Sequence, residues 1–336
     1  MTKSIRPSKK CYHKFMNEFK RRFSSYQENV PLAPLTTMGV GGKSKYFIEA
    51  EKIDDLVEAV LIARKEEIPY LVLGGGSNIV FDDSNFSGLV ILNKTGELII
   101  SSPLVIVDSG MILAHFLKKL AAADLGGFEF LSGIPGTVGG AVIDNAGAYG
   151  GELSEFFENA VILDSSGKIR TIDRQAMNYT YRNSLLKKNI KQGNFEDSPV
   201  LLKCKFKFFK SNSDSVIKKM ENIVRMRTEK QPTGKSSGSI FQNFSVSAND
   251  ERWQKIAREG KISAGYFIEE VGLKGKTQGG AKISEKHANW LINENEAKSE
   301  DLWRLKEEAK TKVKEKFDID LKEEVIFIKD TEDKKQ

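Results

Sequence analysis

Two glycine-rich runs and three polar residues carry types and spacings from which chemistry can be built. The longer run, Ser132-Gly-Ile-Pro-Gly-Thr-Val-Gly-Gly-Ala-Val-Ile-Asp-Asn-Ala-Gly-Ala-Tyr-Gly-Gly-Glu152, has small residues where a loop ordinarily carries polar surface side chains. Lacking a Cβ, Gly133, Gly136, Gly139 and Gly140 let another body approach the main chain and leave N–H groups open to an anionic ligand. The shorter run, Gly74-Gly75-Gly76-Ser77-Asn78, follows apolar Ile68 to Leu73, which reads as a buried strand ending in a tight turn. Either run alone is more simply a tight connection between packed elements. Together they suit the clasping of one pyrophosphate of a phosphate-bearing cofactor. Neither matches Gly-x-Gly-x-x-Gly with an acidic residue about 20 positions on, nor a P-loop, which disfavours a Rossmann domain and a P-loop NTPase.

Arg182 lies among hydroxyl and amide groups in Tyr179-Thr-Tyr-Arg-Asn-Ser184, where a planar guanidinium suits a two-point contact with a carboxylate. A surface arginine beside core tyrosines is an equal reading. Ser239, in Gly238-Ser-Ile-Phe-Gln-Asn243, offers a hydroxyl as proton donor, although a serine in Ser236-Ser-Gly-Ser239 is by type more often a plain loop residue. Glu324 heads the last apolar stretch, a place where carboxylates are usually solvated ends.

These residues need elements to position them. Residues 1–30 are charged and read as an N-terminal helical arm ended by Pro31 and Pro34. Lys45–Ala50, a helix over 53–66, and Tyr70–Leu73 form a small α/β lobe of about residues 31–85. Short strands then dominate a larger β-rich lobe over 86–213: Leu89–Leu92, Leu98–Ile100, Leu104–Asp108, Ala160–Leu163, Lys168–Ile172 and Val200–Phe208. The last alternates with period two, as a half-exposed antiparallel strand should. The boundary is expected near Ser213. Residues 214–330 read as a C-terminal α+β domain with helices over 214–229, 251–259, 264–271 and 298–316 and a closing strand Glu324–Ile328, followed by a charged tail, 331–336. The fold class is α+β.

The chain has 336 residues, 40% hydrophobic and 29% charged, with a formal net charge of +6. That length predicts two or three domains of roughly 100 to 150 residues. The charge suits an anionic nucleotide, and no basic stripe interleaved with aromatics points to nucleic acid. No run of about 18 apolar residues predicts membrane insertion, and the basic N-terminus lacks the apolar core of a signal peptide, so a cytoplasmic location is expected. Cys11 and Cys204, far apart and without ligand spacing, are expected as free thiols, and no metal site is expected. His115, on the helical pattern Ile112–Ala123, reads as a packed histidine.

The two glycine runs and their order resemble the UDP-N-acetylenolpyruvoylglucosamine reductases of bacterial cell-wall synthesis. That family joins Thr-Thr-x-Gly-x-Gly-Gly, here Thr36 to Gly42, to Gly-Gly-Gly-Ser-Asn and then to Gly-Ile-Pro-Gly-Thr-Val-Gly-Gly-Ala with Asn-Ala-Gly-Ala-Tyr-Gly. The similarity runs from about Thr36 to Ile328. It implies a two-part FAD-binding domain of the vanillyl-alcohol-oxidase type plus a substrate domain. Noncovalent FAD is then expected on Gly74, Gly75, Gly76, Ser77, Asn78, Gly133, Ile134, Pro135, Gly136, Thr137, Gly139, Gly140, Ala141 and Asn145, with NADPH as co-substrate.

The same resemblance carries Tyr-Arg-x-Ser onto Arg182, Gly-Ser-x-Phe-x-Asn onto Ser239, and the glutamate ahead of the final strand onto Glu324. It implies that Arg182 and Glu324 polarise the carboxylate of a UDP-sugar enolpyruvyl ether while Ser239 protonates the enolate, with Tyr181, Asn243 and Lys274 holding substrate. A monomer is expected, in the compact form of the family that lacks a tyrosine-bearing loop. Departures occur at Phe244, where proline is usual, at Asp318 for glycine, and at Lys322-Glu323 for Glu-Pro. Two rivals are another FAD-dependent oxidoreductase of the same binding fold and a non-catalytic nucleotide-binding regulator.

Overall fold

The computed structural model describes residues 17–191, 198–247 and 250–328. The chain divides into two compact units: Met1–Val30, Ser44–Gly75 and Phe86–Arg225 in the first, and Pro31–Lys43, Gly76–Asn85 and Met226–Gln336 in the second. The division is thus interleaved, whereas consecutive blocks meeting near Ser213 were expected. Ser213 instead begins the helix Ser213–Lys230, and the division falls inside that helix.

In the first unit, Gln27–Pro31, Lys43–Ala50, Phe86–Asn93 and Tyr70–Leu73 form a sheet in that order. The last three strands are parallel, pairing Tyr46 and Tyr70 with Leu89. Parallel neighbours require a crossover, supplied here by the helix Ile53–Lys65. Its Leu56, Ala59, Val60 and Ala63 recur at helical spacing and are fully buried, while Asp54 and Asp55 at its start and Arg64 and Lys65 at its end complement the helix dipole.

The expected N-terminal arm needs correction. Residues 1–16 lie outside the described region, but 17–22 are helical, Phe19 and Phe23 enter the core beneath this sheet, and Gln27–Pro31 is a strand. Burying two phenylalanines, at about 1.5–3 kcal/mol each, ties the segment down.

Five antiparallel strands make the second sheet of this unit, in the order Ile169–Asp173, Phe157–Leu163, Val200–Lys207, Leu104–Asp108, Leu98–Ser101. The helix Leu113–Ala122 lays Leu113, Phe116, Leu117 and Leu120 on its core, with the Phe116 and Phe206 rings 5.8 Å apart. The strand Val200–Lys207 is more buried than its alternation suggested. Lys203, Lys205 and Lys207 do alternate with buried Cys204 and Phe206, but Val200 and Leu202 enter the core of the first sheet while Leu201 enters that of the second. Cys204 is a buried free thiol, and burial pushes its ionisation well above the ordinary range. Cys11 lies outside the described residues. His115 is exposed, contrary to expectation, because Phe116 and Leu117 take the inward positions of its helix.

In the second unit, the antiparallel strands Thr277–Gln278, Ala281–Ile283 and Leu291–Asn293 join the helices Ala264–Glu270 and Ser299–Phe317 around Phe267, Ile268, Leu302, Leu305 and Val313. Ile326–Ile328 pairs in parallel with Ile79–Phe81, so the segment after the shorter glycine run is held by the end of the chain. The helix expected over 251–259 spans only Glu251–Gln254, since the chain turns back through Glu259 and Gly260, both at positive φ. The closing strand begins at Ile326, two residues after Glu324. The tail 331–336 lies outside the described residues.

Candidate active site

The two glycine turns meet in the first unit. A Cβ on Gly74 would stand 2.5 Å from Thr137 Oγ1, and one on Gly75 would stand 2.6 Å from Gly136 Cα. Such distances leave no room for any side chain, so Gly74 and Gly75 are required by the approach of one turn to the other. Gly139 likewise sits 2.8 Å, by the same measure, from the Ser109 carbonyl, to which its N–H donates at 2.7 Å. Ile134 and Pro135 lie in the turn before the short helix Val138–Ile143, which contains Gly139, Gly140 and Ala141. Thr137 caps it by accepting from Gly140 N–H at 3.3 Å.

The lining of these turns fits a phosphate-bearing group. Among the described residues, the N–H groups of Gly75, Gly133, Gly136 and Thr137 have no protein acceptor. Ser132, which sequence reasoning missed, is 2% exposed and its hydroxyl has no protein partner. Gly75 and Gly133 are exposed and Gly136 is half-exposed, so their N–H groups are open to a ligand, whereas the buried Ser132 hydroxyl is costly unless a ligand or water completes it.

Asn145 is placed by different forces. It is 1% exposed at φ 45°, a left-handed conformation that asparagine tolerates, and its side chain is fully engaged. Its Nδ2 donates to Glu152 Oε2 at 2.8 Å and to the Thr180 carbonyl at 3.1 Å, while Oδ1 accepts from Ser154 N–H at 3.0 Å. The side chain therefore fixes the loop, and the backbone N–H is engaged as well, donating to the Val142 carbonyl at 3.2 Å.

Arg182 is drawn to the same loop. Reciprocal bonds between Thr180 and Asn183 close a tight turn in which Arg182 adopts φ 55°. Its Nη1 donates to the Asn145 carbonyl at 3.2 Å and its Nη2 to the Gly147 carbonyl, and its guanidinium lies 4.9 Å from the Tyr181 ring centre. Ser184 and Lys187 extend this attachment. Ser184 Oγ donates to the Ile143 carbonyl at 2.6 Å, and fully buried Lys187 pairs with Asp144 at 2.8 Å. The arginine is consequently registered against the longer glycine run, and is not the plain surface residue its type also allowed.

Ser77 and Asn78 belong to the strand side of the second unit together with Gly76, whose Cβ would collide with the Leu35 carbonyl at 2.0 Å. Thr37 N–H donates to the Gly76 carbonyl at 3.0 Å, which ties the Thr36–Gly42 motif to the shorter glycine run. Asn78 in turn binds the end of the chain: Ile326 N–H donates to its carbonyl at 3.1 Å and its Nδ2 donates to the Glu324 carbonyl at 3.4 Å.

Ser239 and Glu324 are brought onto adjoining segments of this unit. Ser239 faces Trp290 in an antiparallel bridge, and Glu324 N–H donates to the Ile240 carbonyl at 2.7 Å. Asn289, to which sequence reasoning assigns no role, holds this arrangement: Ile240 N–H donates to its carbonyl at 2.9 Å and its buried amide bonds both polar groups of Phe241. Both Ser239 and Glu324 are half-buried. Asn243 has a structural partner, since its Oδ1 accepts from Ala264 N–H at 3.4 Å at the start of the next helix. Lys274 is exposed and pairs with Glu269 at 2.8 Å. His287, beside Gly265, is held below its ordinary pKa by burial. Among the described residues there is no cluster that would hold a metal ion and no helix long and apolar enough to cross a membrane.

Known proteins resemble this chain in sequence and in fold. Residues 44–173 match the family model of an FAD binding domain, and residues 230–328 match that of the UDP-N-acetylenolpyruvoylglucosamine reductase C-terminal domain. A relative of that name from Caldicellulosiruptor bescii is 38% identical over 89% of each chain, and one from Clostridium botulinum is 34% identical over 93% of this chain and 98% of its own. The crystal structure of the reductase from Thermus caldophilus superposes with a TM-score of 0.71 at 29% identity, covering 89% of this chain and 98% of that one. A matching C-terminal family model, relatives matched nearly end to end and a solved reductase of the same fold lead to one assignment: the chain belongs to the UDP-N-acetylenolpyruvoylglucosamine reductase family.

Proposed function

We propose that this protein, an FAD-dependent oxidoreductase by family, reduces UDP-N-acetylglucosamine enolpyruvate to UDP-N-acetylmuramate with NADPH in peptidoglycan precursor synthesis, acting as a cytoplasmic monomer. The observation that carries the proposal is the bond from Glu324 N–H to the Ile240 carbonyl, which sets a carboxyl group on the segment adjoining a serine hydroxyl.

Bound FAD would supply the hydride-transfer chemistry that links NADPH to the enolpyruvyl double bond. Gly75, Gly133, Gly136 and Thr137 would hold its phosphates through N–H groups that lack protein acceptors, and Ser132 would add a buried hydroxyl. Arg182 grips the substrate carboxylate. A guanidinium has five donors, and the two bonds to Asn145 and Gly147 orient its plane before substrate arrives. Glu324, in its protonated form, donates to the same carboxylate, and together they stabilise the enolate that develops as hydride adds. Ser239 then gives its hydroxyl proton to the enolate carbon, which is basic enough to take it. Hydride at one carbon and proton at the other complete the reduction. Tyr181 supports Arg182 through its ring, and Tyr181, Asn243 and Lys274 help to hold the substrate.

One assay tests the proposal. Purified protein should be yellow, release FAD on denaturation, and oxidise NADPH far faster when the enolpyruvyl substrate is added. NADPH oxidation indifferent to that substrate would instead favour another flavoenzyme, and colourless protein that binds nucleotide without oxidising NADPH would favour a regulator.

A further inference from the structure

Lys306 sits in the helix Ser299–Phe317 and is only 4% exposed. A lysine so deeply buried keeps its charge only where carboxylates replace the lost water. Its Nζ stands 3.0 Å from Glu323 Oε1, 3.1 Å from Glu307 Oε1 and 4.3 Å from the centre of the Phe327 ring. Lys310, four residues on and therefore on the same helix face, reaches the same Glu323 oxygen at 3.0 Å. Burial pushes the Glu323 carboxyl up, and the two lysines more than offset it, leaving the group below its ordinary value.

Glu323 occupies the centre of a small bridge. It stands opposite Phe241, with Gln242 N–H donating to the Lys322 carbonyl at 2.8 Å on one side and Glu324 N–H donating to the Ile240 carbonyl at 2.7 Å on the other. Beyond these, a 3.4 Å bond from Val325 N–H to the Ile240 carbonyl and the two bonds to Asn78 tie the segment, and so short a pairing is marginal by itself. Successive side chains of an extended segment leave on opposite sides, so holding Glu323 against the helix commits Glu324 to the other face.

We propose that Lys306 is a positioning residue for Glu324, acting through the Glu323 carboxylate to fix the register and facing of the segment that carries it. The inference rests on the role given to Glu324 above.

The test follows the two half-reactions of the holoenzyme separately by stopped flow, using NADPH and then UDP-N-acetylglucosamine enolpyruvate. Lys306→Met should retain its flavin and be reduced by NADPH within about 2-fold of wild type, while reoxidation by the enolpyruvyl substrate slows about 10- to 100-fold, the scale of a small misplacement. Lys306→Arg should recover most of that loss. If Lys306→Met does not fold, Lys306→Met with Glu323→Gln removes both buried charges and carries the same expectation for reoxidation. Equal slowing of both half-reactions would overturn the proposal in favour of a general structural role. Wild-type reoxidation in the folded variants, with Glu324→Ala slowed, would overturn it while leaving Glu324 in place. Wild-type reoxidation in Glu324→Ala would overturn both.

Discussion

Asn289 clamps Phe241 with both ends of its amide: Oδ1 accepts from Phe241 N–H at 3.0 Å and Nδ2 donates to the Phe241 carbonyl at 2.8 Å. The pair is buried, and it lies two residues from Ser239 on one strand and next to Trp290 on the other. Asn289→Ala leaves two buried backbone groups unpaired, a loss of about 2–6 kcal/mol if each costs its usual desolvation penalty. Thermal melting should register that loss. Reoxidation by the enolpyruvyl substrate should slow more than reduction by NADPH, because the displaced segment carries the serine.

Ser239→Ala should leave flavin reduction by NADPH nearly intact and slow the second half-reaction by about 10² to 10⁴, the usual contribution of a positioned acid. Stopped-flow traces with both halves slowed alike would point to a structural serine.

Glu324→Gln separates two roles for the carboxyl. If Glu324 serves only as a hydrogen-bond donor, the amide retains far more turnover than Glu324→Ala; if it must exchange a proton, the two variants fall together. Arg182→Lys should be poor in either case, since a point charge cannot keep both carbonyl bonds and present a planar fork. Steady-state kcat and KM for the enolpyruvyl substrate decide, and near-normal turnover in both Arg182→Lys and Glu324→Ala would remove the proposed site.

Gly75→Val should yield colourless protein. A side chain there meets Gly136 main chain at 2.6 Å and must push the two turns apart. The ratio of flavin to protein absorbance after purification measures this, and a fully yellow Gly75→Val protein would show that the turns hold no cofactor.

Acid should weaken the Glu323 clamp. Its folded pKa lies below the unfolded value of about 4.5, so the stability it contributes is fully present above that pH and is lost as pH falls through the folded value. The difference in urea midpoint between wild type and Glu323→Gln should therefore hold from pH 7 down to about 5 and shrink below 4.5. A difference that persisted undiminished at pH 3 would contradict the pairing.

Much of the fold was legible because its signals are local. The apolar spacing of Leu56, Ala59, Val60 and Ala63 belongs to one helix, and alternation in residues 203–207 belongs to one strand. Misreadings arose where burial was decided from a distance. Residues 1–30 read as a charged arm, yet Phe19 and Phe23 enter a core, and Leu201 and Leu202 are both buried because two cores lie on either side of one strand. His115 faces outward for the converse reason.

The sequence by itself determined the family and the residue types that the chemistry needs, since Gly-Gly-Gly-Ser-Asn, Gly-Ile-Pro-Gly-Thr-Val-Gly-Gly-Ala, Tyr-Arg-x-Ser and Gly-Ser-x-Phe-x-Asn are contiguous words readable without a fold. It could not say why those residues are needed. Gly74 and Gly75 suit both a tight connection and a cofactor clasp by type, and the tertiary structure shows that their lack of a side chain makes room for Thr137 and Gly136. Only the fold brought Lys306 to Glu323, Asn289 to Phe241 and Lys187 to Asp144. Such partners are dispersed along the chain, and a polar side chain reveals its use only when burial removes water and obliges it to find a specific partner.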